Sequence, residues 1–260
     1  LIAYFPFEGD ARDASGTGNN GTVSGPVLSS DRFGRPGRAY YFDGIDDHIL
    51  IPNSPTLQNV TAQTVSFWFT YYPQAVQDFH CPISKYRGTV ETGTDGFYVY
   101  VWDTGFGFTY GAANHPDSLG LEYPFLQRSG EWHQITATFA DGVQRVYFNG
   151  KLVAEDRRAS QLSNGDPVTI GMHNANWPPR PFTGHIDDVR IYARALTQAE
   201  VKALYDYEAP PRPPISIRVK VVEVTMQLSA GKRYQLRSSL DLKTWSDAGP
   251  PFIASEGPEV

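Results

Sequence analysis

Val65-Ser66-Phe67-Trp68-Phe69-Thr70 carries a period-two pattern, and the same period returns at Phe97-Tyr98-Val99-Tyr100-Val101-Trp102 and from Trp132 to Phe139. Alternation of this kind sends successive side chains to opposite faces of a strand, so a chain built from several such runs is bound to layered sheets. In the first run Val65, Phe67 and Phe69 share the core face. In the second, Phe97, Val99 and Val101 fill a core and leave Tyr98, Tyr100 and Trp102 in a row on the other side. In the third, Ile135, Ala137 and Phe139 oppose Gln134, Thr136 and Thr138. Trp68 and Trp132 are expected to serve the core rather than a site.

Leu1 to Phe7 reads as a strand, followed by a polar stretch from Glu8 to Gly25 that holds Asp10, Asp13, Ser15, Asn19 and Asn20. Such a stretch is either a set of turns or an oxygen-rich metal loop. Tyr40 to Ile51 is expected to run as one strand containing Ile45-Asp46-Asp47. Gly184 to Tyr192 is another, containing Ile186-Asp187-Asp188. Adjacent carboxylates repel one another unless a cation or hydrogen-bond donors balance them. The twin motif therefore marks two strands that feed one structure. Gln144–Phe148 and Lys151–Ala154 flank Asn149-Gly150, a pair that tolerates positive φ and predicts a tight hairpin.

Thr197-Gln198-Ala199-Glu200 has the spacing of a capping box and opens a helix that ends near Tyr207. Ala209-Pro210-Pro211-Arg212-Pro213-Pro214 breaks that helix and reads as a stiff polyproline linker. The expected division is residues 1–208, a linker over 209–214, and a small, partial β module over 215–260 with strands at Ile215–Leu228 and Lys232–Ser238. A segment that short lacks the buried area of an independent β core, so it either continues past Val260 or packs against the first domain.

Composition excludes several classes. Charged residues make up 19% and aromatics 13%, which suits a packed β domain and not a disordered chain. The net charge of -6 argues against nucleic acid as a partner. No apolar run reaches membrane-spanning length. The chain begins at Leu1 without a signal peptide, as a mature fragment also would. The lone cysteine, Cys81, rules out an internal disulfide and is expected to be a buried thiol.

Leu1-Ile2-Ala3-Tyr4-Phe5-Pro6-Phe7-Glu8-Gly9-Asp10, Asp31-Arg32-Phe33-Gly34 and Phe42-Asp43-Gly44-Ile45-Asp46-Asp47 together resemble the laminin-G-like, concanavalin-A-like jelly-roll family of secreted bacterial proteins. Trp132-His133, Phe148-Asn149-Gly150-Lys151 and the run from Gly184 to Leu196 extend the resemblance, in order, to about Tyr207. The tail, with Gly231 to Ser239 and Leu242-Lys243-Thr244-Trp245, is similar to a small β module found near the ends of large secreted proteins. The resemblance implies an all-β, two-sheet antiparallel jelly-roll sandwich, a structural calcium ion, and a role in carbohydrate binding or adhesion outside the cell or at its surface.

Calcium takes hard oxygens, and Asp13, Asp43 and Asp188 are the expected ligands, with Asp10 in reserve. Asp46, Asp47 and Asp187 are expected to hold turns or to pair with Arg190 or Arg194. A sugar needs a flat aromatic surface with polar groups beside it. Tyr98, Tyr100 and Trp102 supply one candidate surface, with Tyr110 and His115 nearby, and Trp177 between Asn174, Asn176 and Arg180 supplies a second. Those rings would equally pack under a loop or a second domain. The Glu-x-Asp-x-Glu run of glucanases that share this fold is missing, and Glu91, Glu122 and Glu131 stand alone.

The reading is a non-catalytic module whose partner is a polysaccharide or glycan, alongside other modules of a larger protein. The alternatives are a structural or protein-binding module without a sugar site, and a polysaccharide-degrading enzyme on the same fold.

Overall fold

The computed structural model describes residues 1–58, 61–72, 79–87, 95–103, 105–110, 119–122, 130–157, 165–173, 180–210, 230–235, 237–238, 243–247 and 251–253. The chain divides into two compact units, Leu1–Pro211 and Arg212–Val260, so the division falls inside the proline-rich run.

The first unit opens with Ala3–Phe5 (β1), Thr22–Ser24 (β2), Val27–Ser29 (β3), Ala39–Asp43 (β4) and His48–Ile51 (β5). Gln63–Phe69 (β6), His80–Arg87 (β7), Asp95–Trp102 (β8), Gly105–Tyr110 (β9) and Leu119–Glu122 (β10) follow. His133–Ala140 (β11), Val143–Phe148 (β12), Lys151–Arg157 (β13), Val168–Ile170 (β14) and Thr183–Tyr192 (β15) precede the helix Gln198–Glu208 (α1). One sheet has eight strands in the order β13-β12-β11-β6-β15-β4-β3, with β1 added against β15. The other has seven, β10-β9-β8-β7-β14-β5-β2.

The sheets share one core. Phe67, Phe69, Ile135, Phe148 and Ile186 of the first meet Ile49, Ile83, Val99, Phe106 and Val168 of the second, and all are buried. Phe106 of β9 stacks on Phe148 of β12 at 5.1 Å between centroids. This is the two-sheet antiparallel sandwich that the alternation and the resemblance predict.

The expected strand from Tyr40 to Ile51 is two strands in different sheets, β4 and β5. The break is chemical. The Asp43 carboxylate accepts the Ile45 N–H at 2.8 Å, the Asp47 carboxylate accepts the Asp43 N–H at 2.9 Å, and Gly44 takes φ +81°. Side-chain bonds to the backbone here replace the ladder and fold the chain from one sheet to the other. β4 and β15 are direct neighbours, with Phe42 opposite Gly184 and Tyr41 opposite His185, so the strand leading into the first Ile-Asp-Asp lies beside the strand that holds the second. Asn149 and Gly150, at φ +49° and +74°, turn β12 into β13 as expected.

Thr197 and Glu200 form the full capping box at the start of α1. The helix packs on the outer face of the eight-stranded sheet, where Tyr205 stacks on Trp68 at 5.5 Å. In the second unit Arg233–Tyr234 pairs with Phe252–Ile253, and Arg237–Ser238 with Ser246–Asp247. The strand expected over Ile215–Leu228 lies outside the described residues.

Candidate functional site

The outer face of the seven-stranded sheet carries the aromatic row. Tyr98, Tyr100 and Trp102 project from β8 away from the core residues Phe97, Val99 and Val101. Their ring centroids are 5.5 Å apart at each step, and Tyr100 stacks on Trp102 at 20°. Pairing sets Tyr100 opposite Gly107 and Trp102 opposite Gly105. A Cβ on Gly107 would lie 2.2 Å from the Tyr100 ring, so that ring occupies the space a side chain would need. Phe79 meets Tyr100 and Trp102 edge-on at 5.6 and 5.8 Å, and the Arg180 guanidinium sits 5.2 Å over Phe79.

His173 meets Tyr98 edge-on at 5.4 Å. Burial first, and then the charge of Arg180, lower the His173 pKa to about 4, so the imidazole is neutral at ordinary pH. Beside Tyr98 on the same face, Ser84 and Thr169 are buried and their hydroxyls have no hydrogen-bond partner among the described residues.

The row is not open along its length. Tyr100 is 7% exposed, while Tyr98 and Trp102 are half-buried. Stacking turns the faces of Tyr100 and Trp102 toward each other, and the exposed surface of the row is at Tyr98 and Trp102. His115, Asn174, Asn176, Trp177 and the side chain of Tyr110 lie outside the described residues.

The three carboxylates expected to share one calcium ion are not brought together. Asp43 pairs with Thr183, five positions before Asp188 on β15, which at about 3.3 Å per residue separates them by roughly 16 Å. Asp13 and Asp188 are also spoken for. One oxygen of Asp13 accepts the Tyr4 and Ser15 N–H groups, and the other accepts the Thr17 hydroxyl and the Asn19 N–H, at 2.8 to 2.9 Å. Burial would raise the Asp13 pKa, but those bonds outweigh it and hold the carboxyl below the usual range. Asp188 is engaged by Arg32 at 2.7 Å, Arg190 at 3.3 Å and the Tyr4 hydroxyl at 2.6 Å. A carboxylate between two guanidiniums does not fit a calcium ion.

Asp187 joins the same buried cluster through Arg32 at 2.8 Å. Glu208, the last residue of α1, accepts hydrogen bonds from Trp68 and Gln134 at 2.8 Å and pairs with Arg190. These acids therefore brace the helix against the sheet. Among the described residues, the carboxylates that converge are Asp43, Asp46 and Asp47, within 4.8 Å of one another. Cys81 is buried and its thiol is pushed up by desolvation, so it is an inert core group.

A second aromatic cluster lies on the outer face of the eight-stranded sheet. His185 stands at its centre, with the Tyr41, Trp132 and Tyr72 rings at 5.1, 5.7 and 5.9 Å. All four residues are half-buried. Trp132 thus sits outside the core, one residue before β11 begins. The two nitrogens of His185 engage the hydroxyls of Thr70 at 2.8 Å and Ser29 at 3.0 Å. Gly184 makes this approach possible: at φ +143°, a Cβ there would be 2.0 Å from the Thr70 carbonyl oxygen. Sequence reasoning missed this cluster, although the alternation of β4 already turns Tyr41 away from the core residues Tyr40 and Phe42.

Residues 43–202, more than half of the chain, match the family model described as the concanavalin A-like lectin/glucanases superfamily. This chain belongs to that superfamily. Solved structures carry the same fold. The binding domain of Paraclostridial Mosquitocidal Protein 1 matches with a TM-score of 0.62 and 16% identity, over 80% of this chain and 52% of that one. Domain 4 of AbnA, an extracellular arabinanase of family GH43 from Geobacillus stearothermophilus, solved in complex with arabinotriose, matches with a TM-score of 0.59 and 20% identity, over 79% and 98%. The binding domain of botulinum neurotoxin serotype G matches with 0.60 and 18%, over 80% and 51%. The chain spans about half the length of the two toxin domains and nearly all of the arabinanase domain. At these identities the likeness is one of fold. No curated protein matches the chain. Among the described residues no helix is long and apolar enough to cross a membrane.

Proposed function

We propose that this domain is a non-catalytic carbohydrate-binding module acting outside the cell, which holds a glycan at the aromatic ladder of Tyr98, Tyr100 and Trp102. The observation that carries the reading is the ladder itself: three rings in a row on an outer sheet face, with Tyr100 and Trp102 opposite glycines that keep the neighbouring strand low. Sugar rings present C–H faces to such aromatics, and the half-buried ends at Tyr98 and Trp102 offer the contact. The arabinotriose complex of a domain with this fold, and the extracellular setting of its enzyme, support the same reading. So does the description of both toxin neighbours as binding domains.

The low exposure of Tyr100 favours a second reading, in which the ladder packs against protein and the domain is a structural or adhesive module. Affinity measured against a broad glycan panel separates the two. On the first reading the parent protein binds some glycan, and Trp102→Ala weakens it by about tenfold or more. A parent protein that binds nothing on the panel removes the first reading. Among the described residues, calcium has a place at the turn of Asp43, Asp46 and Asp47, whose oxygens suit a hard cation. An equal melting temperature in calcium and in chelator would remove it.

A further inference from the structure

We infer that the outer face of the eight-stranded sheet carries a second saccharide subsite, built by Tyr41, Tyr72 and Trp132 around His185. It lies on the side of the sandwich opposite the β8 ladder and goes beyond the function proposed above.

Helix α1 covers only one end of that sheet face. Its Tyr205 and Glu208 lie over Trp68, Gln134 and Arg190. At the other end β15 presents Thr183 and His185, β4 presents Tyr41, and Val27 of β3, opposite Tyr41, is 60% exposed. This end is a built surface rather than a loose patch. His185 is fixed at both ring nitrogens, and its neighbouring rings meet it at inclinations between 44° and 60°. Burial lowers the pKa of His185, so the centre of the cluster is uncharged at neutral pH.

The polar atoms choose the ligand. The Tyr41 and Tyr72 hydroxyls and the Trp132 indole N–H bond to nothing among the described residues, although each is a strong group on a half-buried ring. The Thr183 hydroxyl, on the same face two positions before His185, is buried and also has no partner among them. A purely apolar partner would cover these donors without satisfying them, which is costly. A saccharide meets both needs, with C–H faces for the rings and hydroxyls for the donors. Among the described residues, the charges beside the cluster are Asp43, on the same face of β4 as Tyr41, and Glu131, next to Trp132. Both are negative, which favours a neutral glycan over an anionic one.

The test is a nitrogen–proton NMR titration of the full chain with arabinotriose, cellotetraose and lactose, and with sialyllactose as the charged counterpart of lactose. In the Trp102→Ala background, which disables the β8 ladder, the Trp132 indole signal is expected to shift with at least one neutral sugar. Tyr72→Phe, which keeps the ring and removes one donor, is expected to weaken that response several-fold, and Trp132→Ala to abolish the binding. Sialyllactose is expected to bind at least several-fold more weakly than lactose. The inference is overturned if no neutral sugar moves the Trp132 signal, if Tyr72→Phe leaves the response unchanged, or if the signal follows protein concentration instead of sugar. The last outcome would mark an interface between copies of the chain. Loss of all sugar binding in Trp132→Ala alone, with Trp102 intact, would instead remove the ladder site and keep this one.

Discussion

The carboxylate of Glu208, the final residue of α1, accepts the indole N–H of Trp68 at 2.8 Å across 140 positions of sequence. That bond, with those from Gln134 and Arg190, ties the end of the domain to the middle of the eight-stranded sheet. Three donors on one buried carboxylate make the helix part of the sandwich rather than an appendage.

Glu208→Ala is therefore expected to destabilise the domain by about 3 kcal/mol, because it leaves the buried Arg190 charge with the longer Asp188 contact alone and removes the acceptor for Trp68 and Gln134. Glu208→Gln keeps an acceptor for Trp68 and is expected to cost less. Urea unfolding of both variants checks the order.

Gly184→Ala is expected to be equally damaging for a different reason. The backbone at φ +143° disfavours any side chain, and the added Cβ would meet the Thr70 carbonyl at 2.0 Å, where no flexible atom can give way. A loss above about 2 kcal/mol is expected, read as a lower unfolding midpoint. Loss of the His185 contacts to Thr70 should appear as altered imidazole resonances.

Thr197→Ala removes the side-chain oxygen that accepts the Glu200 N–H and opens the capping box. The expected loss is about 1 kcal/mol, with fraying confined to the first turn of α1. Hydrogen exchange at the first helical amides measures it.

Acid should weaken the fold through its buried histidines. His173 titrates near 4 in the folded state against 6.5 when free, so the unfolded chain takes up the proton first as the pH falls. The stability it contributes is complete above about pH 6.5 and is lost on the way down to about 4, on the order of 3 kcal/mol in total. His133 and His185, also lowered by burial, add to the same trend. Burial raises the Glu208 pKa and acts in the opposite sense. Unfolding midpoints at pH 7 and pH 5 are expected to differ less for His173→Gln than for the parent.

Much of the architecture is visible in local patterns. Period two at β6, β8 and β11 sorts core from outer residues correctly, because a strand offers only two faces. Asn149-Gly150 and Thr197-x-x-Glu200 work the same way, since their chemistry closes within a few residues. The run from Tyr40 to Ile51 misleads for the converse reason: two short-range carboxylate bonds break a pattern that otherwise reads as continuous.

The strand alternation, the core faces and the capped helix are legible along the chain, since each depends on close neighbours. What the acids and rings do is set by the fold. Asp13, Asp43 and Asp188 look alike as residues, yet Asp188 lies between Arg32 and Arg190, Asp13 closes a turn, and Asp43 joins an acidic corner. Trp68 and Trp132 both lie on the outer face of one sheet, and α1 buries the first while the second remains half-open beside His185. Burial and charge pairing are set by segments far apart in the chain, and no local pattern carries them.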